Sequence, residues 1–238
     1  MSEVGHNKNA ANFKSLYQIL EEMGTLYNPS NPAIALSAMQ PRIAELETVM
    51  EGVSQKNSLY SNAVALRETK MKPLSKLTTR IANSFRSSGA SSADVENVES
   101  KVKKIRGEGR AKKINPETAS DESISTSQMS YDNRTANFAD LITFLETQPS
   151  YNPNEDELKI PQLKAENLIH KQNNSSVNTA SNGLLTARTN RNTSLYSPAT
   201  GVVLLAPTIK EYIKSVGDAG KPYYKAAVKL KFTNIKKK

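Results

Sequence analysis

Few residues in the sequence are of the types that carry out chemistry at neutral pH. There are two histidines, His6 and His170, and no cysteine. Neither histidine has a second histidine at i+3 or i+4, so no helix face has the spacing of a metal site. The absence of cysteine excludes disulfides and thiolate metal ligands. We therefore predict no metal site and no cofactor, and we expect His170 to bond to a neighbour or to water.

Adjacent acidic residues are the second candidate for chemistry. Glu21-Glu22 and Asp156-Glu157 lie near the ends of predicted helices. Consecutive residues of a helix point to different sides, so neither pair brings two carboxylates together for acid–base work. No serine has a histidine partner that the sequence suggests, and no Gly-rich phosphate loop follows a strand. The sequence therefore predicts that the protein is not an enzyme, with no catalytic residue and no small-molecule substrate.

Basic residues could bind anions, and they are concentrated in two places, near the middle of the chain and in its last ten residues. The net charge is +9, which attracts nucleic acid, anionic membranes or acidic proteins without selecting among them. No aromatic residue is interleaved for base stacking, and none of the common nucleic-acid motifs is present. The alternative is a solvated helix face that runs into a linker. The candidate anion or nucleic-acid contacts are Lys101, Lys103, Lys104, Arg106, Arg110, Lys112 and Lys113.

Four polar residues interrupt the apolar series of two long predicted helices. They are Asn57 in the first helix, and Asn167, His170 and Asn174 in the second. Buried polar positions can fix the register or the choice of partner in a helical bundle, at some cost in stability. The other interpretation is that this part of each helix is exposed to solvent. The sequence leaves both interpretations open.

The elements that would position these residues are predicted to be helices. Apolar residues alternate steps of three and four from Leu36 to Leu74, and a similar series runs from Leu158 to Leu195. Shorter stripes with helical spacing begin at Phe13 and Phe138. Hydrophobic residues make up 37% of the chain and there is no Trp, a supply that favours thin bundles over a layered α/β fold. The predicted fold class is all-α.

Two sequence blocks occur twice in the same order. The block beginning Ala11-Asn12-Phe13 recurs 125 residues later at Ala136-Asn137-Phe138, and Tyr27-Asn28-Pro29 recurs 124 residues later at Tyr151-Asn152-Pro153. Two shared blocks at nearly constant separation predict a tandem duplication of an elongated helical bundle, with one long helix and about three shorter ones in each copy. The predicted parts are a disordered tail at 1–10, copy 1 at 11–107, a flexible linker at 108–130 and copy 2 at 131–238.

The second half also carries several short blocks in a characteristic order. These are Tyr151-Asn152-Pro153-Asn154-Glu155, Ala187-Arg188, Arg191-Asn192, Leu195-Tyr196 and Tyr212-Ile213-Lys214-Ser215-Val216. In these blocks the chain resembles a family of uncharacterised, duplicated helical proteins common in Bacteroidetes. The resemblance implies a helical fold and a bacterial source. It implies no known activity, so no functional residue is carried over.

These observations favour a binding role over catalysis. The N-terminal residues are polar without an apolar stretch, no run of 18 apolar residues exists, and cysteine is absent, so we expect a cytoplasmic protein without a transmembrane segment. The leading hypothesis is a non-enzymatic structural or protein-interaction protein, with a protein partner or self-association. The alternative is a basic nucleic-acid-associated protein that binds the phosphate backbone without sequence specificity.

Overall fold

The computed structural model describes residues 4–108 and 129–234, and these residues form helices and turns without any strand. The all-α prediction is therefore confirmed for this part of the chain. Most of the predicted linker, residues 109–128, lies outside the described residues. The α-helices are α1 (Val4–Met23), α2 (Leu36–Met71), α3 (Leu74–Arg86), α4 (Ser92–Arg106), α5 (Tyr131–Glu146), α6 (Ile160–Tyr196), α7 (Val202–Ser215) and α8 (Lys221–Lys229).

The two long helices follow the periodicity that predicted them. Helix α2 has 36 residues and α6 has 37, and each is continuous. Pro41 lies inside α2, where it removes one backbone N–H donor without ending the helix. Pro73 stands between α2 and α3 and caps α3 without a side-chain hydrogen bond. A proline at a helix start has the required φ and lacks an N–H that would have no partner there.

Contacts divide the chain into two compact units, and each unit combines residues of both predicted copies. Unit 1 comprises Met1–Leu59 and Ser181–Lys238, and unit 2 comprises Tyr60–Ala180. Helices α2 and α6 each contribute residues to both units. The units therefore do not coincide with the predicted copies. The physical reason is that periodicity identifies the apolar face of a helix but not the helix that covers it.

The core of unit 1 joins the beginning of the chain to its end. Phe13 and Leu16 of α1 are completely buried in the same cluster as Ile209 and Ile213 of α7. These positions are three or four residues apart on each helix, which is the spacing of one buried face. Helix α1 therefore depends on helices that lie far away in sequence.

The core of unit 2 also joins helices from both predicted copies. Phe138 and Leu141 of α5 share a buried cluster with Phe85 of α3 and Ile105 of α4. The C-terminal part of copy 1 thus packs with the N-terminal part of copy 2. Burial of each large apolar side chain contributes roughly 1.5–3 kcal/mol, so both segments are needed for the stability of the unit.

The predicted disordered tail requires a correction. Helix α1 begins at Val4, and His6 and Asn9 are buried. The His6 Nδ1 atom lies 2.8 Å from the Tyr196 hydroxyl, and the Asn9 amide donates to the Thr233 carbonyl at 2.8 Å. The polar composition of residues 1–10 suggested solvation, but the partners of these side chains come from the other end of the chain. Residues 1–3 lie outside the described residues.

The repeated Tyr-Asn-Pro block makes the same turn in both units. The Tyr27 hydroxyl donates to the Ile34 carbonyl at 2.6 Å, and the Tyr151 hydroxyl donates to the Leu158 carbonyl at 2.7 Å. Burial raises the pKa of Tyr27, and burial together with Glu155 raises the pKa of Tyr151 to about 12. Each phenol therefore stays protonated and holds the turn that leads into a long helix.

Candidate functional site

The basic stretch is partly neutralised by ion pairs within unit 2. Lys101 Nζ lies 2.5 Å from Asp140 Oδ2, and Arg106 Nη2 lies 2.5 Å from Glu108 Oε1. Lys103 and Lys104 are exposed at the end of α4, where they complement the helix dipole. Arg110, Lys112 and Lys113 lie outside the described residues. Of the seven predicted contacts, the structure therefore shows two in ion pairs and two facing solvent.

The polar residues of the second long helix are buried, which decides between the two interpretations of that series. Asn167, His170 and Asn174 of α6, here called the polar cluster, lie in unit 2, and His170 is only 1% exposed. Asn57 of α2 is exposed. The burial hypothesis thus holds for the polar cluster, and the exposure hypothesis holds for Asn57.

Helix α5 covers the polar cluster but satisfies only part of it. The Asn174 amide donates to Asp132 Oδ1 at 2.8 Å, and the His170 ring lies edge-on to Phe138 with 6.2 Å between centroids. Both ring nitrogens of His170 and the side-chain oxygens of Asn167 and Asn174 are buried without a hydrogen bond. Each such atom costs about 1–3 kcal/mol, so the polar cluster weakens unit 2.

The electrostatic surroundings of His170 favour its neutral form. Burial lowers the pKa of His170, Glu166 partly opposes this effect at 3.7 Å, and the positive charge of Arg134 lowers the pKa further. Arg134 itself is held by the Ile105 carbonyl at 3.1 Å. The described residues contain no group of three His, Cys, Asp or Glu side chains that could hold a metal ion. The surroundings of the polar cluster thus favour an uncharged imidazole at His170.

A cleft of about 620 Å³ opens in unit 2 between the end of α3 and the turn before α6. We call it the Ser84 cleft. Hydroxyl and amide side chains dominate its lining, and such groups donate and accept hydrogen bonds without exchanging protons at neutral pH. Its volume is similar to that of many ligand sites, but its lining is polar where most such sites are lined by apolar side chains. Its lining residues are Arg80, Asn83, Ser84, Ser87, Ser88, Ser150, Tyr151, Asn152, Pro153, Asn154, Glu155 and Leu158.

The walls of the Ser84 cleft are held in place by the core of unit 2. The Tyr151 ring packs on the Phe85 ring with 6.1 Å between centroids, and Phe85 is completely buried. Arg80 of α3 forms an ion pair with Glu157, which lies in the turn before α6. One wall therefore belongs to a packed helix and the other to a turn that the Tyr151 hydroxyl fixes.

In unit 1, the side chain of Tyr212 packs against the Tyr-Asn-Pro turn. The Asn28 backbone N–H donates to the Tyr212 hydroxyl at 3.0 Å. The Tyr212 ring stands edge-on to the Tyr27 ring, with 5.1 Å between centroids and 89° between planes. Unit 1 thus fills, with a side chain of its own, the place that faces the Tyr-Asn-Pro turn.

Helices α3 and α7 share two features at a separation of 128 residues. Ile81 and Ile209 are both completely buried. After both helices a glycine has φ of 79°, in the left-handed region that favours glycine. These glycines are Gly89 and Gly217. On this correspondence Tyr212 of unit 1 is matched by Ser84 of unit 2.

Sequence reasoning did not predict the Ser84 cleft. The two repeated blocks are separated by 125 and 124 residues, whereas α3 and α7 are separated by 128, so the extra residues hide the match of Ser84 to Tyr212. Only the structure reveals the match, through Ser87 and Ser215, which are also 128 residues apart. Each donates its hydroxyl to the carbonyl three residues earlier, at 2.9 Å and 2.7 Å.

Comparisons with protein-family models, with curated proteins and with solved structures found no match for this chain. The resemblance to the Bacteroidetes family therefore stays a prediction. Among the described residues, no helix combines the length and apolar character that crossing a membrane requires.

Proposed function

We propose that this chain is a non-enzymatic, helical protein-interaction protein that binds a segment of another polypeptide in the Ser84 cleft. The observation that carries the proposal is the cleft itself, with walls that pack on the core of unit 2 and a lining of hydroxyl and amide groups. Such groups can bond to the N–H and C=O groups of a peptide backbone. We also propose a bacterial source and a cytoplasmic location, as the sequence indicated.

A tandem duplication is part of this proposal, because it explains why one unit has a filled site and the other an open one. It is supported by matched hydrogen bonds that the sequence blocks alone do not contain. Asn9 donates to the Thr233 carbonyl in unit 1, and Arg134 donates to the Ile105 carbonyl in unit 2. Asn9 and Arg134 are 125 residues apart, as are the first repeated blocks.

A peptide library displayed on phage and selected against the full chain tests the proposed function. We expect enriched peptides whose binding is lost in the variant S84Y, which introduces the side chain that fills the corresponding place in unit 1. The matched control is S175Y, since Ser175 is exposed on α6 of the same unit and does not line the cleft. If no peptide is enriched, or if S84Y binds the selected peptides as well as S175Y does, the proposed function is wrong.

Nucleic-acid binding is the second candidate, favoured by the exposure of Lys103 and Lys104 at the end of α4. Binding through phosphate contacts falls steeply as salt is raised, whereas peptide binding through the hydroxyl and amide groups of the cleft need not. Retention on DNA at low salt, weakened when the seven basic residues of the stretch are replaced by Gln, would support this candidate. The same measurement on S84Y serves as the control, because that variant keeps every basic residue.

A further inference from the structure

The side chain that fills unit 1 suggests which side chain a partner would place in unit 2. In unit 1 the phenol of Tyr212 has two contacts at the Tyr-Asn-Pro turn: its oxygen accepts from the Asn28 N–H, and its ring meets Tyr27 edge-on. We propose that the Ser84 cleft receives a tyrosine side chain of a partner polypeptide. This inference rests on the proposed function, because it names the side chain through which the bound segment is recognised.

The receiving turn in unit 2 presents the same groups. Tyr151 and Asn152 occupy the places of Tyr27 and Asn28, and both line the Ser84 cleft. In the described part of the chain no acceptor bonds to the Asn152 backbone N–H, the donor that corresponds to Asn28. A phenol oxygen entering the cleft would provide that acceptor, as Tyr212 does in unit 1.

Position 84 of unit 2 is a serine where unit 1 has Tyr212, and the smaller side chain leaves the space beside the turn open. Ser84 and Tyr212 are matched by the buried faces and by the glycines of helices α3 and α7. Phe85 stands where unit 1 has Ile213, and its ring packs against the Tyr151 ring, so a core residue supports this wall of the cleft. The cleft is thus shaped by the protein core and not by the side chain that would enter it.

The rest of the lining suits a polypeptide that carries the tyrosine. Ser88, Ser150 and Asn154 also line the cleft and offer hydroxyl and amide groups to a peptide backbone. The cleft, at about 620 Å³, has room for residues next to the tyrosine. Unit 1 requires no groups that bind a peptide backbone, because the backbone of Tyr212 is already part of helix α7.

Binding of N-acetyl-L-tyrosinamide to the full chain, followed by amide NMR shifts, tests the inference. We expect saturable shifts at Asn152 and Asn154. The analogue N-acetyl-L-phenylalaninamide, which lacks the hydroxyl acceptor, should bind roughly three- to tenfold more weakly. Free L-tyrosine, which is not part of a peptide, should bind no more tightly than the amide. Equal binding of the phenylalanine analogue, or tighter binding of free tyrosine, would overturn the inference.

Two reciprocal variants locate the binding. S84Y should abolish the shifts at Asn152, while S175Y should leave them unchanged. Y212S should open the corresponding place in unit 1, so that tyrosinamide also shifts Asn28 and the stoichiometry rises from one to two. Circular dichroism establishes that each variant is folded. Shifts at Asn152 that persist in S84Y, or a folded Y212S protein without a second site, would contradict the inference.

The inference and the proposed function can fail separately. If peptides from the library bind in the Ser84 cleft but contain no tyrosine, and tyrosinamide does not bind, the inference is wrong and the proposed function stands. If neither the peptides nor tyrosinamide depend on Ser84, both are wrong.

Discussion

The two units place different chemistry at corresponding positions of their long helices. In unit 1, Leu46 of α2 is buried in the same core as Phe13. In unit 2 the residue 124 positions later is His170, whose ring lies against Phe138. The next turn repeats the contrast, with Met50 in α2 and Asn174 in α6. Positions 124 residues apart thus form an apolar seam, Leu46 and Met50, in unit 1 and a partly unsatisfied polar seam, His170 and Asn174, in unit 2.

The contrast extends to the Tyr-Asn-Pro turn. Unit 1 closes the space beside the turn with Tyr212, and unit 2 has Ser84 and an open cleft. Both differences make unit 1 the more stable unit. Apolar burial and a filled site stabilise unit 1, whereas unpaired polar atoms and an open site destabilise unit 2. We interpret unit 1 as the more stable unit and, under the proposed function, unit 2 as the one that binds a partner.

The largest expected effect concerns how the two units are assembled. Cutting the chain between residues 118 and 119 separates Phe13 and Leu16 from Ile209 and Ile213, which share one core. Since each large side chain contributes roughly 1.5–3 kcal/mol, we expect neither fragment alone to melt cooperatively. Mixing the fragments should restore a single cooperative transition, measured by circular dichroism with the intact chain as control. If residues 1–118 fold alone as a monomer, the successive copies are the folding units after all.

Exchanging the seam residues should have the next largest effect. L46H removes a buried leucine and adds an imidazole without a partner, so the free energy of unfolding should fall by at least about 3 kcal/mol. H170L removes the two unpaired ring nitrogens and should raise the free energy of unfolding by about 1–3 kcal/mol. Urea denaturation measures both. Changes of the same sign in the two variants would remove the contrast between the seams.

The pH dependence of stability should sharpen the same contrast. The pKa of His170 is lowered from 6.5 by burial, with Glu166 opposing and Arg134 adding to the effect. As the pH falls through 6.5, the unfolded chain takes up a proton that the folded protein does not, so stability present above this pH is lost. The comparison of wild type with H170L separates this loss from that of carboxylates. We expect urea denaturation to show a weaker pH dependence in H170L, and an identical dependence would contradict the assignment.

The sequence predicted the helices better than their partners. The 3-4 spacing from Leu36 onward predicted α2, and the corresponding series predicted α6, because an apolar face is a local property of the chain. The helical start at Val4 was missed because His6 and Asn9 are polar, and only Tyr196 and Thr233 show why they are buried. Long-range partners of this kind have no local signal.

The candidate site was harder to predict than the fold. The polar cluster could be named from the sequence, but its burial could not, since the same spacing fits an exposed stretch of helix. The Ser84 cleft exists because position 84 carries a small serine side chain where unit 1 carries the large side chain of Tyr212. That difference becomes visible only when α3 and α7 are matched at 128 residues, a separation that neither repeated block shows.

The smallest expected effect concerns the feature that the two units share. Y27F and Y151F each remove a buried hydroxyl that donates to a carbonyl seven residues later, at 2.6 Å and 2.7 Å. Loss of one such hydrogen bond costs about 0.5–1.5 kcal/mol, and the ring packing is kept in both variants. Because the two turns have the same geometry, we expect the two losses of unfolding free energy to agree within about 0.5 kcal/mol. A clearly larger loss in one variant would mean that the turns are not equivalent, and the match between Tyr212 and Ser84 would then lose its basis.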